Sequence, residues 1–582
     1  MRPTTSRLSS RLRQAIAATA VAGLLAACST AASTTPSAAP ETAQSTVATD
    51  QTGSDSSATT DTDTTSGSGT ATTSAGSTST TVADLVADNT EPHTSDVPDA
   101  ATAAEDVDAE ITLADGASTA DGDGVTVDGD VVTITTGGTY LIGGDLSDGQ
   151  LVVQAADADD VVLVLDGVSI TSSTTAPLVV EEADEVTIVL AAGSSNALSD
   201  AANYTTGEDG PDGALFSRSD LTITGDGALA VEGNAGDGIV GNDGVLIAGG
   251  DITVAAADDG IRGKDYLVID DGTVTVEAAG GDGLKSTVED DAGLGYVVVN
   301  GGTVDLTSGT DGIDAFTDAI VTGGDLTIAA GDDGIHAETA LGITGGSITV
   351  STSVEGLEAG TILIEDGQID AVASDDGINA ASDTAEIQLV ISGGTIAIDA
   401  QGDGLDANGP ASITGGTVVV QGPTNNGNGA LDVDGEFTIS GGSLTAVGSS
   451  GMLVAPSTDS PQVSLVATFE SAVAAGSTIT VTDEEGTEVA RVETTKEAAS
   501  LVLSTDQLES GATYEVQVDG ETIATATGGE YSTMGGGGMP GGGYPGGDGQ
   551  MPGGGGFPGG GTPPEGGPGQ RPGDTTDGGS DA

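Results

Sequence analysis

The sequence predicts an all-β chain: a right-handed parallel β-helix of three-strand coils of about 22 residues, with a small C-terminal β module and disordered termini. Three observations predict it. An acid-Gly-aliphatic phrase returns as Asp237-Gly238-Ile239, Asp259-Gly260-Ile261, Asp282-Gly283-Leu284, Asp311-Gly312-Ile313, Asp333-Gly334-Ile335, Glu355-Gly356-Leu357, Asp376-Gly377-Ile378 and Asp403-Gly404-Leu405, its acids 22, 23, 29, 22, 22, 21 and 27 residues apart. A Gly-Gly or Asp-Gly pair recurs between them, beginning at 249, 271, 301, 323, 345, 366, 393, 415 and 441. Around both phrases aliphatics alternate with polar residues and are largely β-branched, which means strands and not helices. A nonapeptide calcium-binding roll has too short a repeat to match.

Each coil can be justified strand by strand. Two residues before the glycine pair stand Ile247, Ile269, Val299, Val321, Ile343, Ile364, Ile391, Ile413 and Ile439. Three residues after its first member stand Ile252, Val274, Val304, Leu326, Ile348, Ile369, Ile396, Val418 and Leu444. The aliphatic of the acid-Gly phrase supplies the third inward column, and two residues on a small one follows, such as Ala315, Ala337 or Ala359. Parallel crossovers are right-handed. Coils stack at about 4.8 Å, so any repeated position becomes a ladder on one face.

Composition narrows the function. The 582 residues carry a formal net charge of −80, from 91 acids against 11 bases. Such a chain repels nucleic acid. It favours cations, or ligands reached through cations. Aromatics are 2% with no Trp, which speaks against ring stacking as the main hold on a neutral glucan.

Along the chain, Arg2, Arg7, Arg11 and Arg13 precede an apolar run from Ala15 to Ala27. Residues 1–28 are predicted to be a signal peptide, too short to anchor as a span. The end, Leu25-Ala26-Ala27-Cys28, resembles the lipobox of bacterial lipoproteins. It implies lipid on Cys28, the only cysteine, and a chain held on the extracytoplasmic face of the cell membrane; a free cysteine is the plainer alternative. Residues 29–105 are rich in Ser, Thr, Ala and Asp and predict a disordered tether. The β-helix is expected over 106–456, irregular at first, as terminal repeats are. Residues 457–530 predict a small β module, either a cap on the open end of the solenoid or a second binding domain. Residues 531–582 are Gly/Pro low complexity and expected to be disordered.

The phrases Gly138-Thr139-Tyr140, Asp148-Gly149-Gln150, Asp166-Gly167-Val168-Ser169-Ile170, Phe216-Ser217-Arg218-Ser219-Asp220-Leu221, Asp259-Gly260-Ile261-Arg262-Gly263-Lys264-Asp265-Tyr266 and Gly281-Asp282-Gly283-Leu284-Lys285-Ser286-Thr287 add a family resemblance. They resemble a bacterial family of secreted, often lipid-anchored, pectate-lyase-like β-helices described as carbohydrate-binding. The resemblance spans roughly residues 107–528. It implies a calcium-bearing right-handed β-helix that binds acidic plant polysaccharide or cellulose, without catalysis as a family trait. Arg262 departs from the lysine usual there, and the long acidic tether is a second departure.

Candidate chemistry gathers after the acid-Gly phrase. Insertions lengthen the arm there, between Asp282 and Gly301 and between Asp376 and Gly393, and insertions confined to one face often mark a binding face. The residue following the inward aliphatic points outward and reads Arg262, Lys285, Asp314, His336, Glu358, Asn379, Asp406 down the stack. That ladder is either a solvated face or the floor of a groove. Stacked carboxylates repel by about 1 kcal/mol or more at 4–5 Å. The phrase acids must therefore accept backbone N–H groups in the turn before glycine, or share hard cations. On the second reading Ca²⁺ is the expected cofactor, with Asp259, Asp282, Asp311, Asp314, Asp332, Asp333 and Glu358 as metal ligands. His336 is expected as a surface residue, since Ca²⁺ prefers oxygen.

Four bases fall in the solenoid: Arg218, Arg262, Lys264 and Lys285. Their spacing predicts that they gather at one corner, either salt-bridged to nearby acids or as a clamp for a uronic acid carboxylate. The function expected is a monomeric surface protein that binds acidic polysaccharide through bridging Ca²⁺ and this corner, without nucleic acid and more readily without catalysis. A calcium-dependent polysaccharide lyase using Arg262, Lys264 or Lys285 as base, or an adhesive stalk with no small ligand, are the alternatives.

Overall fold

A computed structural model describes residues 80–92, 103, 107–204, 210–289, 291–382 and 384–532. The signal peptide and Cys28, most of the tether and the Gly/Pro tail lie outside these residues. The chain is almost entirely β and winds a parallel solenoid of about 13 turns.

Three parallel ladders make its walls. The first carries the acid-Gly phrase and runs through Asp237–Gly241, Ile261–Gly263, Leu284–Ser286, Ile313–Ala315 and onward to Leu431–Val433. The second runs through Gly244–Ile247, Tyr266–Ile269, Tyr296–Val299 and Asp318–Val321 to Phe437–Ile439. The third runs through Asp251–Ala256, Thr273–Ala278 and Thr303–Ser308 to Ser443–Gly448. The inward columns pair like with like: Ile239 on Ile261, Ile247 on Ile269, Ile252 on Val274. All three columns are buried in one continuous core. Side chains of similar volume stacked at one spacing interdigitate in that core.

The glycine pair turns the chain from the second wall to the third. Its second member adopts φ of +108° at Gly272, +79° at Gly302 and +88° at Gly324, a conformation that other residues adopt only with strain. The first wall's small residues, Ala315, Ala337, Ala359, Ala380 and Ala407, are fully buried where the corner is tight.

Antiparallel strands close both ends. Thr119–Gly122 pairs with Ala109–Ala114 at the start. At the far end Ala498–Ser504 runs antiparallel to Ser443–Gly448, the last rung of the third wall, and Ser464–Val473 pairs beyond it. A four-stranded antiparallel sheet of Thr478–Thr482, Glu488–Glu493, Thr513–Val518 and Glu521–Thr527 completes this region. The open edge of the solenoid is thus covered.

One part of the predicted tether has structure. Val82–Asp88 is a short helix, begun by a capping box between Thr81 and Asp84. Val82 and Leu85 bury against Ile320, Ala340 and Leu363. Two apolar side chains in a polar segment are too weak a sequence signal, and the surface that receives them is made by coils far along the chain.

Candidate functional site: the charged ladder on the first wall

The outward column forms as its spacing predicts. Arg262 pairs in register with Lys285, Lys285 with Asp314, Asp314 with His336, His336 with Glu358, Glu358 with Asn379, and Asn379 with Asp406. Asp432 extends it by one rung.

Beside it stand the phrase acids, and their backbone partner differs from the expected one. Each carboxylate accepts the N–H of the corresponding acid in the following coil, and not an amide of its own turn. Asp237 accepts from Asp259 at 3.1 Å, Asp259 from Asp282 at 2.9 Å, Asp282 from Asp311 at 2.9 Å, Asp311 from Asp333 at 2.8 Å and Asp333 from Glu355 at 3.0 Å. Asp376 accepts likewise from Asp403. Stacking brings that amide within reach, so the acids stitch coil to coil. Glu355, one methylene longer, turns instead to the Asn379 amide at 2.8 Å.

At the upper end the carboxylates meet cations. Arg262 donates to Asp237 Oδ2 through Nε at 2.9 Å and Nη2 at 2.7 Å, and reaches Asp212 at 2.5 Å. Lys285 bonds Asp282 and lies 3.2 Å from Asp314 Oδ2 and 3.8 Å from Asp259 Oδ1. Burial opposes the charge of both bases, yet the acids around them hold both above their ordinary pKa values. His336 Nδ1 stands 3.1 Å from Asp314, a bond that pushes the imidazole up to about 9. It is therefore a cation at neutral pH. Asp314 is half-buried, but His336 and Lys285 hold it below the usual carboxylate range.

At the lower end the ladder and phrase positions from Glu355 to Asp432 carry no base, and His336, one rung above, acts there only on Glu358 and Asp333. Burial first, then mutual repulsion, pushes Glu355 up to about 7, Glu358 to about 8, Asp403 to about 6 and Asp406 to about 7.

The predicted bases do not form one corner. Arg262 and Lys285 share the ladder, whereas Arg218 and Lys264 sit two residues further along their coils. Arg218 pairs with Glu181 at 3.2 Å and packs over the Phe216 ring at 5.5 Å. Lys264 is exposed, and its charge acts on Asp243 and Asp265. The register holds within each pair; what separates the pairs is the turn of the chain between them.

Among the described residues, two groups bring three ligand atoms within 4.8 Å of one another: Asp311, Asp314 and His336, and Asp333, Glu355 and Glu358. The first already holds a cation in His336. The second offers only oxygen. Beside it Asn379, 7% exposed, donates to Glu355 and, at 3.4 Å, to Glu358, while its Oδ1 is buried without a hydrogen-bond partner. Turning that amide over would present Oδ1 to the same carboxylates. Carboxylates and an amide carbonyl together are the donor set of a hard divalent ion. Of the other predicted ligands, Asp259 and Asp282 serve Lys285, and Asp332 is exposed outside both groups. Glu355 and Asn379 are not among the predicted ligands, although Glu355 occupies a phrase position and Asn379 a ladder position.

The first insertion touches the N-terminal segment. Its Gly293 carbonyl accepts the N–H of Thr90, next to the N-terminal helix.

The profile of a family described as carbohydrate-binding domain-containing protein matches residues 128–422 and 329–536. A protein of that description from Acetivibrio thermocellus is 39% identical over 155 residues, covering 26% of this chain and 54% of the relative. The chain thus spans about half the length of that curated relative. A solved structure, the polysaccharide lyase-like protein from C. thermocellum as a gadolinium derivative, is 34% identical; the match covers 41% of this chain and 97% of that one, with a TM-score of 0.40.

Proposed function

Since this chain belongs to the carbohydrate-binding domain-containing protein family, we propose that it binds an acidic, uronate-bearing polysaccharide through Ca²⁺ held on the lower half of the charged ladder. The observation that carries this reading is the Asp333, Glu355 and Glu358 group with the orphaned Asn379 carbonyl. Three carboxylates and one amide carbonyl leave a bound Ca²⁺ incompletely satisfied, since this ion takes 6–8 oxygens. The remaining positions are open to sugar carboxylate and hydroxyl oxygens. A polyanion cannot approach a chain of net charge −80 without such a bridge.

Arg262 and Lys285 have a smaller part. Their charges are already answered by Asp212, Asp237, Asp282 and Asp314, so a uronate clamps there only by displacing the more exposed Asp212. Both bases are held protonated, which disfavours proton abstraction and supports binding without catalysis. We further propose a monomer whose lipidated Cys28 keeps it on the extracytoplasmic face of the membrane, where polysaccharide is met.

Calorimetric titration of the full chain with polygalacturonate, in Ca²⁺ and in chelator, tests the reading. Binding should require Ca²⁺ and fall at least about tenfold in Glu358→Gln, the loss of one charged ligand being worth about 1.4 kcal/mol or more. Equal affinity in chelator would sink the bridging mechanism.

A further inference from the structure

The second wall carries an outward column unlike those of the other walls. In register it reads Leu246, Val268, Val298, Ile320, Gly342, Leu363 and Val390. An outward apolar column requires a cover. The helix Val82–Asp88 lies over its middle, with Val82 and Leu85 buried against Ile320 and Leu363. Gly342 permits the approach: a Cβ there would stand 2.8 Å from Val82 Cγ1 and 3.3 Å from Leu85 Cδ1. Both ends of the segment are pinned. The Val82 N–H donates to Glu365 Oε1 at 3.0 Å. The Thr90 N–H donates to the Gly293 carbonyl at 2.8 Å, and the Tyr296 hydroxyl donates to the Thr90 carbonyl at 2.5 Å.

The same contact carries two penalties. Both side-chain atoms that could hydrogen-bond in Asn89 are buried without a partner. Asp88 also acts on Asp318, an acid only 6% exposed. Among the described residues no base answers Asp318. The helix segment brings only Asp84, Asp88 and Glu91. The next coil brings Ala340, and the preceding one brings the Tyr296 phenol, whose proton goes to Thr90. Few favourable contacts therefore stand against ordering a short segment, a like-charge pair and an unsatisfied amide.

We propose that residues 81–92 are a proton-operated strap, closed on the second wall while Asp318 holds its proton beside Asp88, and released when Asp318 ionises. Release uncovers the apolar column from Val298 to Leu363. The sign follows from the burial. Closure, by burial first and then by Asp88, pushes Asp318 up to about 7, whereas a released carboxylate sits near 4. Closure takes up a proton, so the strap is firm in acid and loosens as pH rises through neutrality.

Hydrogen exchange of the full chain tests this at the Val82, Leu85 and Thr90 amides. Each is corrected for intrinsic exchange and referred to Val274 in the third wall. Between about pH 5.5 and about pH 8.5, protection should fall at least about tenfold. In Asp318→Asn it should stay constant and high. Leu85→Ala should lose it at both values, which shows that the amides report docking. Unchanged protection in the native chain, an equal fall in Asp318→Asn, or full protection in Leu85→Ala each overturns the strap.

Discussion

The two halves of one ladder solve the same electrostatic problem in opposite ways. Both repeat acids coil after coil at about 4.8 Å, where ionised carboxylates repel. The upper half answers from within: Arg262, Lys285 and protonated His336 sit among Asp212, Asp237, Asp259, Asp282 and Asp314. The lower half, from Glu355 and Glu358 to Asp403 and Asp406, has no base among the described residues, and its acids retain protons into the neutral range. The bonds from acid to amide run through both halves, so they do not account for the difference. What differs is the identity of the outward residue, and with it whether the charge is balanced inside the protein or by an ion from solution.

The largest test of the contrast removes the upper half's own cation. Arg262→Leu leaves Asp237, 5% exposed, with its backbone bonds but without its counter-ion. Breaking a buried pair from one side costs about 3–5 kcal/mol. The denaturant midpoint should drop accordingly near pH 8, and less near pH 5, because Asp237 is already pushed up to about 6 by burial and takes a proton there. A midpoint unchanged at both pH values would mean that the pair contributes nothing, and the contrast between the halves would lose its basis. The mirror change, Asp406→Asn in the lower half, should raise stability in chelator.

A second test uses pH. In chelator, the lower half's acids have folded pKa values raised above the unfolded ones: Glu355 to about 7, Glu358 to about 8 and Asp406 to about 7, by burial and then by neighbouring acids. A raised acid contributes stability that is present in acid and lost as pH climbs from about 4 toward those values. His336, raised to about 9 by Asp314, contributes stability that is full below about 6.5 and is lost progressively from there as pH rises through 9. Amide exchange should therefore show the coils around Ile378 and Leu405 loosening further between about pH 5 and 8 than the coils around Ile261 and Leu284, where Asp237 and Asp259 are raised by burial but face Arg262 and Lys285. Saturating Ca²⁺ should remove the difference. Parallel loosening of both regions would count against it.

Much of this is legible in the sequence because a solenoid turns spacing into position. Spacing alone assigns Ile247, Ile252 and Ile261 to separate inward columns, and Arg262 through Asp406 to one outward column. Contacts between positions are not legible in the same way. That Asp259 bonds the amide of Asp282 depends on how far a carboxylate reaches across the stack, and periodicity says nothing of reach. Periodicity gives Arg218 and Lys264 the right register but the wrong company, because two residues at a corner separate faces. The strap is hidden for another reason. Its Thr81-Val82-Ala83-Asp84 start is an ordinary capping signal, but its receiving surface at Ile320, Gly342 and Leu363 is assembled from coils about 240–280 residues away in sequence.

The smallest test concerns a place where the amide stitching skips a coil. Glu355 stands where the neighbouring coils have aspartate, and it bonds the Asn379 amide rather than the backbone of the next phrase. Glu355→Asp shortens the side chain to the length that bonds forward in Asp311 and Asp333. It should gain one inter-coil hydrogen bond to the Asp376 N–H, about 0.5–1.5 kcal/mol in chelator. It should also draw one oxygen away from Asp333, Glu358 and Asn379, so the stabilisation conferred by Ca²⁺ should shrink. The two changes oppose each other, and denaturation with and without Ca²⁺ separates them. If the variant were weaker in chelator as well, Glu355 would belong to the packing of its coil rather than to an ion, and the lower half would need another explanation for its unbalanced charge.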